Sequence, residues 1–300
     1  MKSAQPGILQ AVPPEGRYLF YSLSQPSALA GALQRLAPLA GAGDGGVVVG
    51  LGPATVAALG RHVPGLREMP DLSGHGVTVP TRPVALWCWL RGSDRGDLVL
   101  LTHRLDLALA PAFQPGLVVD AFRHGEGPNG HGRDLTGYED GTENPEGEAA
   151  VAAALVQGAG EGLDGSSYVA VQQWLHDFAA FERLPPAAQD DAVGRCRADN
   201  EELEDAPESA HVKRTAQESF EPEAFVLRRS MPWSAGGKAG LMFVAFGCSL
   251  DAFEAQMRRM AGHDDGITDA LFGFSQPVNG AYLWCPPVRD GQLDLRAVGL

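Results

Sequence analysis

Two runs of strand type about 150 residues apart, YLFYSL beginning at Tyr18 and YVAVQQWL beginning at Tyr168, do most to fix what this chain can fold into. The first is rich in aromatic residues and the second adds β-branched valines, side chains that pack well on a pleated surface. After the first run, SALAGALQRLAPLAG carries Leu29, Leu33 and Leu36 at helical spacing, with Gly41 as a stop. GVVVGLG, from Gly46 to Gly52, returns as a buried strand. VALWCWLRG, DLVLLTHRLDLAL and LVVDAFRHG then repeat strand, helix, strand. The first half thus reads β-α-β twice over.

The second half starts the series again. SYVAVQQWLHD is a strand by alternation, and FERLPPAAQDDAVGR reads as a helix. AFVLRRSMPW and GLMFVAFGCS are strands parted by the turn residues SAGGK. SLDAFEAQMRRMAG, from Ser249 to Gly262, is an amphipathic helix that Ser249 can cap, with Phe253, Met257 and Met260 on one face. NGAYLWCPP closes the series as a strand. The expectation is an α+β chain of two sequential ferredoxin-like halves, 1–150 and 151–300, with antiparallel sheets and peripheral helices. The stretch from Gly125 to Gly165, rich in Gly, Asn, Asp and Glu, reads as the linker between them. Long loops inside compact domains are often functional.

Composition narrows the partners. With 44% hydrophobic and 20% charged residues the chain is of ordinary globular type. A formal charge of −14 and a pI near 4.9 argue against nucleic acid as a partner, since polyanion binders need basic faces. Cys88, Cys196, Cys248 and Cys285 are scattered without a C-x-x-C pair, and read as free buried thiols of a reducing compartment. The opening MKSAQPGILQAVPPEG has neither the apolar core of a secretory signal nor a twin arginine. No stretch reaches the roughly 18 apolar residues of a membrane span. A cytoplasmic protein without a membrane partner is expected.

GYEDGTENP, from Gly137 to Pro145, sets two carboxylates in a Gly-x-x-Asp-Gly frame. The same frame recurs as GAGDG (Gly41 to Gly45) and GHDDG (Gly262 to Gly266), so by itself it signals a turn. Glycine tolerates positive φ there and aspartate bonds its own backbone. Among the eight histidines, His211 is singled out by its surroundings, ESAHVKRT after the acidic run DNEELEDAPE. Seventeen residues later, Arg228 and Arg229 end an apolar strand in FVLRRSMPW. Alternation sends them to opposite faces, and a guanidinium that turns inward needs an anionic partner.

GRDLTGYEDGTENP, SSYVAVQQWLHD, SAHVKRT, FVLRRSMPW and GLMFVAFGCS, in this order and at these separations, resemble the dye-decolorizing peroxidases. The compact bacterial cytoplasmic branch of that family is the nearest likeness, and it covers nearly the whole chain. The resemblance implies a heme b peroxidase of two ferredoxin-like halves, of the dimeric α+β barrel type, with heme held mainly by the C-terminal half. Hydrogen peroxide would oxidise small organic donors such as dyes and phenols through a ferryl intermediate. By the same resemblance His211 matches the proximal iron ligand, Asp140 and Arg228 the distal pair, and Ser230 a third distal polar position where some relatives carry Asn. Asp269, in TDALFGFSQPV, falls where relatives place a carboxylate against the proximal histidine. Leu241, Phe243 and Phe246 are candidates for packing the porphyrin. The copy at Asp140 is then the functional one, and the other two are turns, with Gly262 a helix C-cap.

These residue types suit the chemistry. A carboxylate near the iron can carry the proton that peroxide must lose and regain. An arginine can stabilise the charge that develops as the O–O bond breaks. A carboxylate accepting the His211 N–H would raise electron density at the metal. Donors too bulky for the pocket would pass electrons through tyrosine or tryptophan, with Trp87, Trp89, Trp174, Trp233, Tyr138 and Tyr282 as unranked relays. A homo-oligomer is expected from the family. The end at LRAVGL, shortly after the last expected strand, predicts no packaging in an encapsulin shell. The competing class is a heme carrier, which needs His211 and apolar walls but not Asp140 with Arg228. A heme-free metal site using His211 and DNEELED is the third alternative.

Overall fold

The computed structural model describes residues 3–41 and 45–300, and each apolar run named above contributes a strand. The first half holds β1 (Glu15–Leu23), β2 (Val47–Leu51), β3 (Leu86–Gly92) and β4 (Phe113–Phe122). The second holds β5 (Ser167–His176), β6 (Leu227–Arg228), β7 (Met231–Ala235), β8 (Lys238–Gly247) and β9 (Ser275–Cys285). Helices α1 (Leu29–Gly41) and α2 (Arg95–Leu109) belong to the first half. The second half carries α3 (Gly147–Ala154), α4 (Phe178–Glu182), α5 (Pro186–Val193), α6 (His211–Arg214) and α7 (Asp251–Met260).

These strands form one antiparallel sheet in the order β5-β9-β2-β3-β1-β4-β7-β8-β6, and β5 pairs with β8 as well as with β9. The run therefore closes on itself. Four strands of each half keep the same spatial order, β2-β3-β1-β4 and β7-β8-β5-β9. The two sets meet edge to edge at narrow seams, Leu51 opposite Trp284 and Ala121 opposite Trp233. Separate sheets would have left four open edges, and closure covers each edge with a neighbouring strand although each seam is pinned by a single register pair.

Alternation then sorts the side chains. Tyr18, Trp87, Trp89, Val169, Met242, Val244, Phe246 and Leu283 point inward into one buried cluster. Their neighbours Leu19, Cys88, Tyr282 and Trp284 point outward into a second cluster that includes residues of α1, α2 and α7. Inside, Trp89 stacks on Tyr18 at 6.0 Å and lies 6.5 Å from Phe246.

Several local expectations change. FERLPPAAQDDAVGR is two short helices, because Pro185 and Pro186 lack the N–H a continuous helix needs; Pro186 instead starts α5. The stretch 125–165 is not all linker, since its alanine-rich segment forms α3. Ser249 sits one residue before the N-cap of α7, where its Oγ accepts from Asp251 N at 3.2 Å. All four cysteines are free, but only Cys88 and Cys285 are buried, and burial pushes both thiols up; Cys248 is exposed. Residues 42–44 of the GAGDG copy lie outside the described residues. Among the described residues no helix is long and apolar enough to cross a membrane.

Candidate active site

GYEDGTENP closes a loop on itself. Asp140 N donates to Gly132 O at 2.8 Å, Asp134 N donates to Tyr138 O at 2.9 Å, and Arg133 bridges to Glu139. Gly137 and Gly141 turn the chain at φ of 92° and 94°, where a side chain would be strained. The two neighbouring carboxylates then divide. Glu139 is buried and accepts the backbone N–H groups of Asn129 at 3.1 Å and His131 at 2.9 Å, so it folds the loop. Asp140 accepts no side-chain hydrogen bond among the described residues and lines a cavity.

His211 begins α6, a single turn anchored by Arg214. That guanidinium is buried, grips Asp265 through both nitrogens at 2.7 Å, and donates to Arg259 O at 2.8 Å. The GHDDG copy is thus structural: Asp265 holds α6, and Gly262 follows the α7 C-cap at φ 80°. Asp269 is 1% exposed. Its Oδ1 caps the following turn by accepting from Leu271 N at 2.9 Å, and its Oδ2 meets His211 Nδ1 at 2.7 Å. Burial opposes a charge on His211, but the Asp269 carboxylate outweighs it and raises the imidazole above its usual range. Arg228 lowers it and Asp140 raises it, so both charges are felt at His211. With Nδ1 taken by Asp269, Nε2 is the ring nitrogen left to bind a ligand.

Arg228 reaches the same cavity from β6, and Asn144 fixes its backbone. The Asn144 amide donates to Arg228 O at 3.2 Å and accepts from Arg228 N at 2.7 Å, in effect adding a rung to the strand. The Arg228 guanidinium has neither a carboxylate nor a hydrogen-bond acceptor among the described residues. An anion is what such a group lacks. Arg229 turns the other way, donates to Leu9 O at 2.9 Å, and is pushed down to about 10 by burial and by the nearby Arg91.

The cavity has an empty volume of about 1420 Å³, open mouth included. Leu241 and Phe243 from β8, and Phe253 and Met257 from α7, make apolar walls around His211, Asp140 and Arg228. A second cavity, of about 1480 Å³ open space included, shares Asp140 and Arg228 with the first and also contains Ser230.

Six of the eight site residues expected from the sequence therefore line the first cavity or bond directly to a residue that does. One correction follows. Phe246 is fully buried inside the closed sheet against Trp89, because it differs in parity from Leu241 and Phe243 on the same strand. Ser230 lines the second cavity together with Asp140 and Arg228, with its Oγ 3.4 Å from Val244 N. Of the aromatic residues considered as relays, Trp174 and Tyr138 line the first cavity, while Trp87, Trp89 and Trp233 are inside the sheet. Tyr138 donates to Asp190 at 2.5 Å. Asn144, Glu139 and Arg214 were not anticipated; Asn144 lay in plain view in the quoted motif, but its partner is 84 residues away. Among the described residues no group of three or more His, Cys, Asp or Glu could hold a metal ion.

Comparison with known proteins gives this arrangement a family. A family model described as Dyp-type peroxidase, C-terminal, matches residues 131–290. A dye-decolorizing peroxidase of Mycolicibacterium paratuberculosis is 31% identical over 229 residues, which are 74% of this chain and 63% of that protein. One from Mycobacterium tuberculosis is 30% identical, covering 74% of this chain and 67% of its own length. Among solved structures, a dye-decolorizing protein from V. cholerae superposes with a TM-score of 0.81 at 28% identity, over 93% of this chain and 96% of its own. A variant of Rhodococcus jostii RHA1 DypB, solved in complex with heme, gives 0.83 at 25% identity, over 93% and 94%. The chain belongs to the dye-decolorizing peroxidase family. It spans 63% of the length of the M. paratuberculosis relative.

Proposed function

We propose that this chain is a heme b peroxidase that uses hydrogen peroxide to oxidise small organic donors such as dyes and phenols. One observation carries the reading: a histidine with one ring nitrogen held by a buried carboxylate at 2.7 Å and the other free shares an apolar-walled cavity with an unpaired carboxylate and an unpaired guanidinium. The donor set suits heme. His211 Nε2 is a nitrogen ligand for iron, Leu241, Phe243 and Met257 offer apolar surface to a porphyrin, and Arg228 is a cation for a propionate or for a developing oxyanion. Heme, when bound, supplies the redox-active iron.

The protein's own groups do the rest. Asp269 holds the proton on His211 Nδ1 and so keeps Nε2 directed at the metal. Asp140, whose carboxylate accepts no hydrogen bond among the described residues, moves the peroxide proton. Arg228, positioned by Asn144, stabilises negative charge on the departing oxygen. Leu241 and Phe243 exclude water, which strengthens both interactions. The equal strand order of the two halves supports reading them as ferredoxin-like units, with a division at 1–150 and 151–300. A cytoplasmic homo-oligomer is the form expected.

The test is a visible spectrum of the protein reconstituted with hemin, before and after one equivalent of hydrogen peroxide, followed by a reducing dye. Rapid conversion by peroxide and return with the dye supports the peroxidase. Hemin that binds through His211 and does not respond to peroxide supports a heme carrier and overturns the reading.

A further inference from the structure

On the wall of the same cavity, at the end of β5, His176 is buried with one ring nitrogen unserved. Its Nδ1 lies 2.7 Å from Ser275 Oγ, while Nε2 has no hydrogen-bond partner. Burial alone pushes this imidazole down to about 4, so near neutral pH it is uncharged and offers a lone pair or an N–H, not a cation. Facing Nε2 at 3.9 Å is Asp134 Oδ2, from the loop that presents Asp140. The other oxygen of Asp134 is fully employed: Oδ1 accepts Thr136 N at 2.8 Å and Thr136 Oγ1 at 2.5 Å. One oxygen folds the loop, and the second points at an unserved nitrogen a little beyond hydrogen-bond reach. A shift of about 1 Å would close the gap to normal length.

We propose that Asp134 and His176 form a second acid–base pair that stores a proton behind Asp140 and relays it to and from the cavity during turnover. This rests on the peroxidase reading above. Reduction of hydrogen peroxide to two waters consumes two electrons and two protons, and two phenolic donors supply both by losing one of each. Asp140 can handle one proton at a time, so a reaction that brings in two needs a second place to hold one. Burial, followed by the charge of Asp140, raises Asp134 to about 6 against the opposing hydrogen bonds of Thr136. Its proton therefore exchanges in the working range while His176 accepts the hydrogen bond. The other charged groups lining this cavity are Glu139 and Glu143 of the same loop, Arg195 and Glu202 after α5, His211 on α6, Glu218 beyond it and Arg228 on β6. Glu139 is occupied by backbone N–H groups, and Arg195 is paired with Glu143 at 2.5 Å and Glu202 at 3.0 Å, which leaves Asp140 as the relay's neighbour.

Asp134→Asn keeps an oxygen for Thr136, so the loop can fold. In the hemin-loaded protein, infrared spectra recorded across pH should show a protonated-carboxyl band that disappears near pH 6 in the wild type. The band should be absent in Asp134→Asn and shifted in midpoint in His176→Gln. In the same variants kcat/KM for peroxide should fall by about 10²-fold and its pH profile should lose the inflection near 6, with hemin affinity unchanged. A band that survives Asp134→Asn, or a pH profile that is unchanged once the band is gone, overturns the relay while leaving the peroxidase reading intact. A wild type that binds hemin but does not consume peroxide overturns both.

Discussion

Phe243 and Phe246 stand three residues apart on β8 and should respond to truncation in opposite ways. Phe246 is fully buried inside the closed sheet, between the β5 and β6 strands its own strand pairs with, and against Trp89 at 6.5 Å. Removing a ring from such a site leaves a cavity the surrounding strands cannot collapse, at a cost of about 3–5 kcal/mol. That is a large share of the roughly 5–15 kcal/mol that holds a folded domain together. Phe243 is only half-buried, lies 5.9 Å from Phe253, and already faces open cavity. Full burial of such a ring is worth about 1.5–3 kcal/mol, so its loss should cost about 1 kcal/mol of stability. The same ring surface is available to a porphyrin, and losing it should weaken hemin binding about tenfold.

Two measurements on each variant separate the effects. Urea unfolding of the hemin-free protein, read at unchanged m, gives the stability change, and absorbance titration with hemin gives the affinity. Phe246→Ala should lower the midpoint strongly and bind hemin as the wild type does wherever it is folded. Phe243→Ala should do the reverse. If Phe246→Ala weakened hemin as much as Phe243→Ala did, the assignment of the two sheet faces would be wrong, and the cavity around His211 would not be where heme sits.

Asp269→Asn retains a capping oxygen for Leu271 but loses the anion at His211, so hemin affinity should fall 10–100-fold, about what the loss of a ligand-orienting partner costs, in a hemin titration. Arg228→Ala should keep hemin yet slow the reaction with peroxide by about 10²–10³-fold in stopped flow, more than Asp140→Ala, because water can replace a proton shuttle but not a fixed charge. A slower Asp140→Ala would reverse that ranking. His176, depressed from 6.5 to about 4, contributes stability that is complete above pH 6.5 and is lost as pH falls toward 4; His176→Gln should flatten that part of the unfolding-midpoint curve of the hemin-free protein.

What could be read in advance divides along sequence distance. The strands were legible because side-chain alternation and β-branched or aromatic content are local. Closure of the sheet was not, since its seams rest on single register pairs such as Leu51 with Trp284, which no local pattern encodes. The parity of Phe246 was legible and should have excluded it from the porphyrin wall, because Leu241 and Phe243 fix the phase of the strand. The division of labour between Glu139 and Asp140 was not: it depends on backbone N–H groups at 129 and 131 that arrive only when the loop folds. The same holds for His211 with Asp269, 58 residues apart, and for Asn144 with Arg228, 84 apart. Each of these pairs leaves one group unserved, the His211 Nε2, the Asp140 carboxylate or the Arg228 guanidinium, while its neighbour is saturated by protein. Saturated groups build the site and unserved ones face its ligand, and that distinction belongs to the folded chain because it is set by which distant donors arrive.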